Sequence, residues 1–125
     1  MSIRRQFLGK QGETLACVYL KKSGYNIIST NYRCKLGEID IIAEESGTLV
    51  FVEVKCRAST AFGEPYEAVT KRKMSQMSRV ALEYMSCNKL FGRMARFDVV
   101  SIKFLQASQP EIELIRNAFD VNYGR

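Results

Sequence analysis

The chain has 125 residues, of which 46% are hydrophobic and 26% are charged. This length and composition are typical of one globular domain, which we expect to span residues 1–125, and they argue against disorder. The sequence shows neither a secretory signal nor an apolar run of the ~18 residues that a membrane span needs. It therefore predicts a cytoplasmic protein without a membrane partner.

The residue types that are missing limit the chemistry. The chain has no histidine, and its four cysteines form no C-x-x-C pair. The first absence excludes Ser-His and Cys-His nucleophilic machinery. The two together argue against a zinc site of the usual spacing. Any catalysis must therefore depend on carboxylates, lysines, hydroxyls or a metal ion held by oxygen.

The net charge of +6 suggests a polyanionic partner, although charge alone is weak support because many small proteins are basic. Its distribution is more informative. The segment 38–53 holds five of the 13 acidic residues, namely Glu38, Asp40, Glu44, Glu45 and Glu53. Basic residues stand on both sides of it, namely Arg33, Lys35, Arg57, Lys71, Arg72 and Lys73. Acidic groups framed by positive charge are expected where metal ions and phosphates share a site.

The hydrophobic pattern predicts two helices and five strands in the order α-β-β-β-α-β-β. Apolar residues at three- and four-residue spacing predict a first helix that ends at Gly24, which suits a left-handed C-cap. The predicted helices cover 7–23 and 67–86. The predicted strands cover 25–33, the two arms of the segment 37–57, 95–104 and an edge segment 111–119. Residues 58–66 are predicted to form a loop. The helix between the third and fourth strands indicates that these two are parallel. We therefore expect an α/β fold with a mixed five-stranded sheet flanked by helices.

The segment "GEIDIIAEESGTLVFVEVKCR", residues 37–57, reads as a hairpin whose apolar arms carry charged residues. A two-residue turn at the Ser-Gly dipeptide 46–47 would pair Asp40 with Glu53 and Glu38 with Lys55. Since side chains alternate along a strand, these four would share one face. The opposite face would then carry Ile39, Ile41, Val52 and Val54.

Two directly opposed carboxylates destabilise a sheet unless they share a proton or a cation. With Lys55 two residues beyond Glu53, a hard cation is the better explanation, and all-oxygen ligands suit Mg²⁺ or Mn²⁺. The alternative is that Glu-x-Lys forms ordinary surface ion pairs. The upstream Asp40, the hairpin context and the apolar opposite face favour the metal site.

A third carboxylate, Glu13, lies at the edge of the apolar stripe of the first helix. A glutamate at such a position is either a tolerated boundary residue or points into a polar cavity. Helix geometry alone does not decide between the two.

The ordered set "GKQGE", "NYR", "GEID", "FVEVKCR" and "RFDVV" resembles the YraN-like family of small bacterial proteins over residues 9–100. That family is similar to a branch of the PD-(D/E)XK nuclease superfamily, close to archaeal Holliday-junction resolvases. The resemblance implies a restriction-endonuclease-like core in which Asp40, Glu53 and Glu13 bind metal and Lys55 is catalytic. The family pattern would place a small hydroxyl residue at Cys56, which is predicted to point away from the metal face.

The chemistry of phosphodiester hydrolysis suggests further residues for the site. The backbone carbonyl of Val54 is a further candidate metal ligand, and Glu38 is expected to support the site, either by pairing with Lys55 or from behind the metal ligands. Four basic residues are candidate phosphate contacts, although charges at a helix start are usually only solvated; they are Arg33, Arg57, Lys71 and Lys73. For Asp98 on the fourth strand, we expect an ion pair with a neighbouring arginine.

These residues support three readings of function. The leading one is a Mg²⁺- or Mn²⁺-dependent endonuclease that hydrolyses phosphodiester bonds of DNA, with branched or structured DNA as a candidate substrate and DNA favoured over RNA. The second is a non-catalytic nucleic-acid-binding module on a nuclease scaffold, and the third is a protein-interaction domain with an incidental basic surface. The resemblance also raises a homodimer, to which the methionine-rich face of the second helix could contribute if it is not core.

Overall fold

The structure, a computed structural model, describes residues 3–57, 69–105 and 108–121. Two helices and five strands follow one another in the predicted order. They are α1 (Ile3–Lys22), β1 (Asn26–Cys34), β2 (Gly37–Glu45), β3 (Thr48–Arg57), α2 (Lys71–Cys87), β4 (Ala95–Lys103) and β5 (Glu111–Phe119). The loop predicted for 58–66 lies outside the described residues.

The strands form one sheet in the order β1-β2-β3-β4-β5. All neighbouring strands are antiparallel except β3 and β4, which are parallel. Helix α2 joins these two strands, and a parallel pair needs such a crossover. The mixed sheet and the edge position of β5 are therefore confirmed.

Each face of the sheet carries its own hydrophobic core. On the first face, α1 packs on residues of the sheet that include Ile41, Ala43, Val50, Val52, Val100 and Ile102. On the second face, α2 packs on residues that include Ile39, Ile42, Leu49, Phe51 and Phe97. The central strand β3 contributes residues to both cores and lies between the two helices. This packing fixes the position of the residues at the end of β3.

Helix α1 lies very close to β3. A Cβ atom built on Gly12 would stand 2.1 Å from the sulfur of Cys56, so any larger residue at this position would force the Cys56 side chain to move. Cys56 packs against the α1 core. Burial raises the pKa of its thiol, which also lies close enough to Asp40 and Glu13 for their charges to raise that pKa further, so the prediction that it points away from the metal face is not confirmed. Helix α1 ends as expected at Gly24, which has a φ of 94°, and the N–H of Tyr25 donates to the carbonyl of Leu20 at 2.9 Å.

Helix α2 begins later than the pattern predicts. Residues 69 and 70 are not helical, and Thr70 has extended backbone angles and caps the helix. Its hydroxyl accepts a hydrogen bond from the N–H of Lys73 at 3.1 Å, which satisfies one of the free donors of the first turn. Residues 67 and 68 lie outside the described residues. At residues 69 and 70, the predicted helix is wrong, because the helix begins only at Lys71.

The methionine-rich face of α2 lies partly in the core, since Met77 is fully buried. The outer side of the same helix borders a groove of about 510 Å³ whose lining includes three exposed apolar side chains, Leu36, Leu82 and Phe91. A homodimer through α2 stays a prediction.

A second polar cluster surrounds Asp98, which is completely buried. The hydroxyl of Tyr25 donates a hydrogen bond to its carboxylate at 2.6 Å, and the Nε of Arg96 donates another at 3.0 Å. Arg96 also contacts Glu45 at 2.6 Å. The predicted ion pair of Asp98 with an arginine is confirmed, and its bonds tie the beginning of β1 to β4 and to the end of β2.

Neither of the two described helices is long and apolar enough to cross a membrane.

Candidate functional site

The β2–β3 hairpin has the predicted two-residue turn. Glu45 pairs with Thr48, and the two residues between them, Ser46 and Gly47, have φ angles of 50° and 84°. Two successive positive φ angles are typical of the tight turn that matches the twist of a hairpin. The register that follows from this turn is confirmed from Glu45–Thr48 to Ile41–Val52.

Beyond Ile41 and Val52 the pairing between β2 and β3 ends. The backbone N–H of Val54 donates a hydrogen bond to Oδ2 of Asp40 at 2.8 Å. The carboxylate of Asp40 therefore lies in the gap that opens between the two strands. This position brings it to Glu53, the residue that the continued register would place opposite.

Glu53 is the most buried acidic residue of the hairpin, with 4% of its surface exposed. The Nζ atoms of two lysines approach its carboxylate, that of Lys55 at 3.5 Å and that of Lys73 at 3.7 Å. Burial, together with the charge and hydrogen bond of Asp40, raises the pKa of Glu53 to about 7, against the opposing effect of the two lysines. Without a further cation, the acid pair tends to retain a proton near neutral pH.

Glu13 reaches this group from α1. Its pKa is raised, first by burial and then by the charge of Asp40, while a hydrogen bond from the side chain of Asn31 lowers it. The side chain is half-buried. The structure therefore brings Glu13 close enough to Asp40 for their charges to interact, and its role as a metal ligand stays a prediction.

The expected alternation of side chains along β2 is wrong at one point. Ile39 was predicted to share a face with Ile41, but Ile39 packs in the α2 core whereas Ile41 packs in the α1 core. The strand thus turns over between these two residues, at Asp40. For this reason the carboxylate of Asp40 reaches the gap beside β3 instead of standing on the face that carries Lys55.

Glu38 pairs with Arg33 and not with Lys55. Its carboxylate pairs with the Nε of Arg33 at 2.5 Å, because the β1–β2 register places the two residues opposite each other. The expected pairing of Glu38 with Lys55 is replaced by this bond. Arg33, predicted to contact phosphate, is exposed and held by Glu38 at the rim of the site.

The other predicted phosphate contacts differ in position. Lys73, in the first turn of α2, points at Glu53 and also lies 3.3 Å from the side-chain oxygen of Gln76. Lys71 begins the same helix and is exposed. Arg57 is half-buried at the end of β3, beside Lys103 of β4. Of these, the structure brings only Lys73 into contact with the acid pair; phosphate contacts by Arg57 and Lys71 stay predictions.

The donor set of the acid pair suits a hard cation, although the arrangement is not closed around one. In residues 3–57, 69–105 and 108–121, no three or more Cys, Asp or Glu side chains lie close enough together to hold a metal ion. Asp40 and Glu53 do approach within hydrogen-bonding range, and two carboxylates completed by water are typical ligands of Mg²⁺ or Mn²⁺. The pair of Asp40 and Glu53 therefore fits such an ion. Glu13 would have to move closer to become a third ligand. A role for the backbone carbonyl of Val54 stays a prediction.

Asn31 is a member of the site that the sequence pattern did not single out. Within β1 it has a φ of 54°, in the left-handed region that side chains other than glycine rarely adopt. It lies opposite Asp40, between the pairs Tyr32–Ile39 and Thr30–Ile41. An asparagine inside a run rich in β-branched residues is a usable signal, because asparagine tolerates this backbone region better than most residues.

These features define a small α/β protein with a mixed five-stranded sheet, a helix on each face, and an acidic pair with two lysines at the end of its central strand. The sequence model of the uncharacterised protein family UPF0102 matches residues 12–102. This chain belongs to the UPF0102 family, which confirms the YraN-like resemblance at the level of the family.

Relatives match almost the whole chain. A UPF0102 protein of Geobacter metallireducens is 46% identical over 98% of this chain and 100% of its own length. One of Geotalea daltonii is 49% identical over 93% of this chain and 91% of its own length. A third, of Caldicellulosiruptor saccharolyticus, is 47% identical over 94% of this chain and 100% of its own length.

Proposed function

We propose that this protein is a Mg²⁺- or Mn²⁺-dependent endonuclease that hydrolyses phosphodiester bonds of DNA on a PD-(D/E)XK-type core. One observation carries the proposal. The buried carboxylate of Glu53 touches a second carboxylate, Asp40, and has the ammonium groups of Lys55 and Lys73 within 4 Å. Two acids and two lysines at the end of a central strand are the groups needed to hold a divalent cation next to a phosphate.

A purely structural role explains this group less well. Burying a carboxylate costs free energy unless it is paired, and the site places a second carboxylate against Glu53. The buried Asp98 shows how the same fold stabilises an acid for structure alone, with hydrogen bonds from Tyr25, Arg96 and a backbone N–H. Glu53 instead has two lysines at 3.5 and 3.7 Å and a hydrogen bond with another carboxylate, Asp40, so its charge is compensated less fully than that of Asp98.

Each side chain has a task in the proposed reaction. A bound metal ion would lower the pKa of water and polarise the phosphate. Asp40 and Glu53 hold that ion, and the bond from Val54 fixes the carboxylate of Asp40. Lys55, anchored beside Glu53, orients the attacking water or neutralises charge that develops on the phosphate. Lys73 neutralises Glu53 from the start of α2 and binds the phosphate oxygens.

The test uses labelled linear duplex, single-stranded, flapped and four-way-junction DNA, and a matched single-stranded RNA. Each is incubated with Mg²⁺, with Mn²⁺ or with chelator. Asp40→Asn serves as the inactive variant, because an amide oxygen can still accept the bond from Val54. Tyr25→Phe serves as a matched control purified in the same way, with its change at the other polar cluster.

We expect cleavage of DNA that needs the metal, vanishes in Asp40→Asn and persists in Tyr25→Phe. Cleavage that survives in Asp40→Asn would indicate a contaminating nuclease. Absence of cleavage, together with metal-independent binding that weakens steeply with salt in all three proteins, would replace the proposal by a non-catalytic nucleic-acid-binding module.

A further inference from the structure

At the acid site, two neighbouring strands, β1 and β2, turn over: the regular alternation of side chains between the two faces of the sheet is reversed at the same level in both. In β2, Ile39 faces the α2 core and Ile41 faces the α1 core. In β1, Tyr32 pairs with Ile39 and packs in the α2 core, while Thr30 pairs with Ile41. Paired residues share a face of the sheet. Both strands therefore exchange faces at the same level, between these two pairs.

The residues at that level are Asn31 in β1 and Asp40 in β2. A regular strand keeps side chains two residues apart on the same face, so one residue at this level must leave the regular strand conformation. Asn31 does so, with a φ of 54°. For a side chain that carries a Cβ, the left-handed region costs roughly 1–2 kcal/mol. Such an outlier inside a strand persists only where the surroundings require it.

Two consequences of the turnover concern the site. The neighbours of Asp40 in β2 point to opposite faces, so its own carboxylate projects into neither core and meets the N–H of Val54 at 2.8 Å. The side-chain amide of Asn31 is at the same time hydrogen-bonded to Glu13 of α1. Asn31 thus lies opposite Asp40 in the β1–β2 register and is hydrogen-bonded to Glu13.

We propose that Asn31 is a positioning residue: its left-handed backbone turns Asp40 into the gap between β2 and β3, and its amide holds Glu13 beside Asp40. The geometric half of this inference depends on the fold alone. Its meaning for metal binding rests on the proposed function.

The chain offers a matched control in Asn117 of β5. This asparagine also has a left-handed backbone, with a φ of 51°. Its N–H donates to Asp98 at 2.9 Å, near the point where the β4–β5 register shifts. Substituting Asn117 therefore imposes a comparable backbone strain at the polar cluster of Asp98 and not at the acid pair.

The first experiment measures hydrogen exchange of the Val54 amide by NMR in metal-free protein, relative to the other amides of β3. Valine strongly disfavours the left-handed region, so Asn31→Val should speed exchange at Val54 at least tenfold over the other β3 amides. Asn117→Val should leave this ratio unchanged. Asn31→Ala, which strains the backbone less, provides the same readout if Asn31→Val does not fold. An unchanged ratio in a folded Asn31 variant would overturn the inference.

The second experiment measures Mn²⁺ affinity of Asn31→Gly by calorimetry. Glycine adopts the left-handed backbone without strain, so Val54 should stay protected while loss of the amide weakens Mn²⁺ binding several-fold; unchanged affinity would overturn the role assigned to the amide. A parent protein that neither binds Mn²⁺ nor cleaves DNA would instead refute the proposed function, and the Val54 ratio would still decide the geometric half.

Discussion

The backbone N–H of Val54 and the carboxylate of Asp40 are joined by a hydrogen bond of 2.8 Å at the point where β2 leaves β3. Because the pairing of β2 with β3 ends before Val54, this bond gives the N–H of Val54 the acceptor that a strand partner would otherwise provide. It also fixes the direction of the Asp40 carboxylate, which the proposed reaction uses. Asp40 therefore has a structural role as a hydrogen-bond acceptor and, in the proposed reaction, a chemical role as a charge, and substitution can separate the two roles.

Asp40→Ala should lower the free energy of unfolding by about 1–3 kcal/mol, because the half-buried N–H of Val54 loses its partner. Asp40→Asn keeps an oxygen acceptor and should stay within about 1 kcal/mol of the parent protein. Urea denaturation of the metal-free proteins measures both. If the two variants were equally destabilised, charge and not the hydrogen bond would be the stabilising feature.

The raised pKa of Glu53 predicts an unusual dependence of stability on pH. The folded-state pKa of about 7 lies above the ordinary value of 4.5, so the folded protein prefers the protonated acid. Stability from this group is complete below pH 4.5 and is lost as pH rises through 7, on the order of 3 kcal/mol in total. Glu53→Gln should remove this decline, so that above pH 7 the variant is the more stable protein. Denaturation with chelator at pH 4.5, 6, 7 and 8 tests this; parallel curves for the two proteins would contradict it.

Lys73 should lower the pKa of Glu53, whereas Lys71, two residues earlier in the same turn but exposed, should not. The Nζ of Lys73 lies 3.7 Å from the Glu53 carboxylate and lowers its pKa. In Lys73→Met we expect the pKa of Glu53 to rise by about one pH unit. Carbon-detected NMR titration of the Glu53 carboxyl measures this, with Lys71→Met as the control. Equal effects of the two substitutions would mean that long-range charge, and not contact, sets the pKa.

The polar cluster at Asp98 should matter for stability without affecting the site. Tyr25→Phe removes a hydrogen bond of 2.6 Å to a completely buried carboxylate, and we expect a loss of about 1–3 kcal/mol in the free energy of unfolding. Tyr19→Phe, which removes a half-exposed hydroxyl from α1, should cost little. Urea denaturation compares the two, and metal affinity should be the same in both variants. A loss of metal affinity in Tyr25→Phe would show that the two ends of the sheet are coupled.

Much of the fold follows from local signals in the sequence. The Ser-Gly turn set the hairpin register, and the helix between β3 and β4 required a parallel pair. Such features are predictable because turn chemistry and the handedness of crossovers leave few alternatives. Asp40 and Glu53 were singled out by similar reasoning, since a carboxylate inside an apolar strand stands out against its neighbours, whereas Glu13 was added by the family resemblance and not by helix geometry.

The orientation of these acids was not predictable from alternation. The hydrophobic pattern treats Ile39 and Ile41 as equivalent, yet they face opposite cores because both strands turn over at Asn31 and Asp40. A left-handed residue within a strand changes the faces without changing the pattern. The pairing of Glu38 with Arg33 was missed for a related reason: it depends on the β1–β2 register, which no turn motif specifies.

Because Gly12 lies against Cys56, the reactivity of this thiol should report movement of helix α1. The sulfur of Cys56 is only partly buried, and it lies where a Cβ on Gly12 would stand, so movement of α1 away from β3 should expose it further and speed its reaction with a thiol reagent. Because Glu13 is the next residue after Gly12, the same movement would carry that carboxylate away from Asp40. Labelling of Cys56, resolved from that of Cys17, Cys34 and Cys87 by peptide mass spectrometry, would therefore report how tightly α1 holds Glu13 beside Asp40.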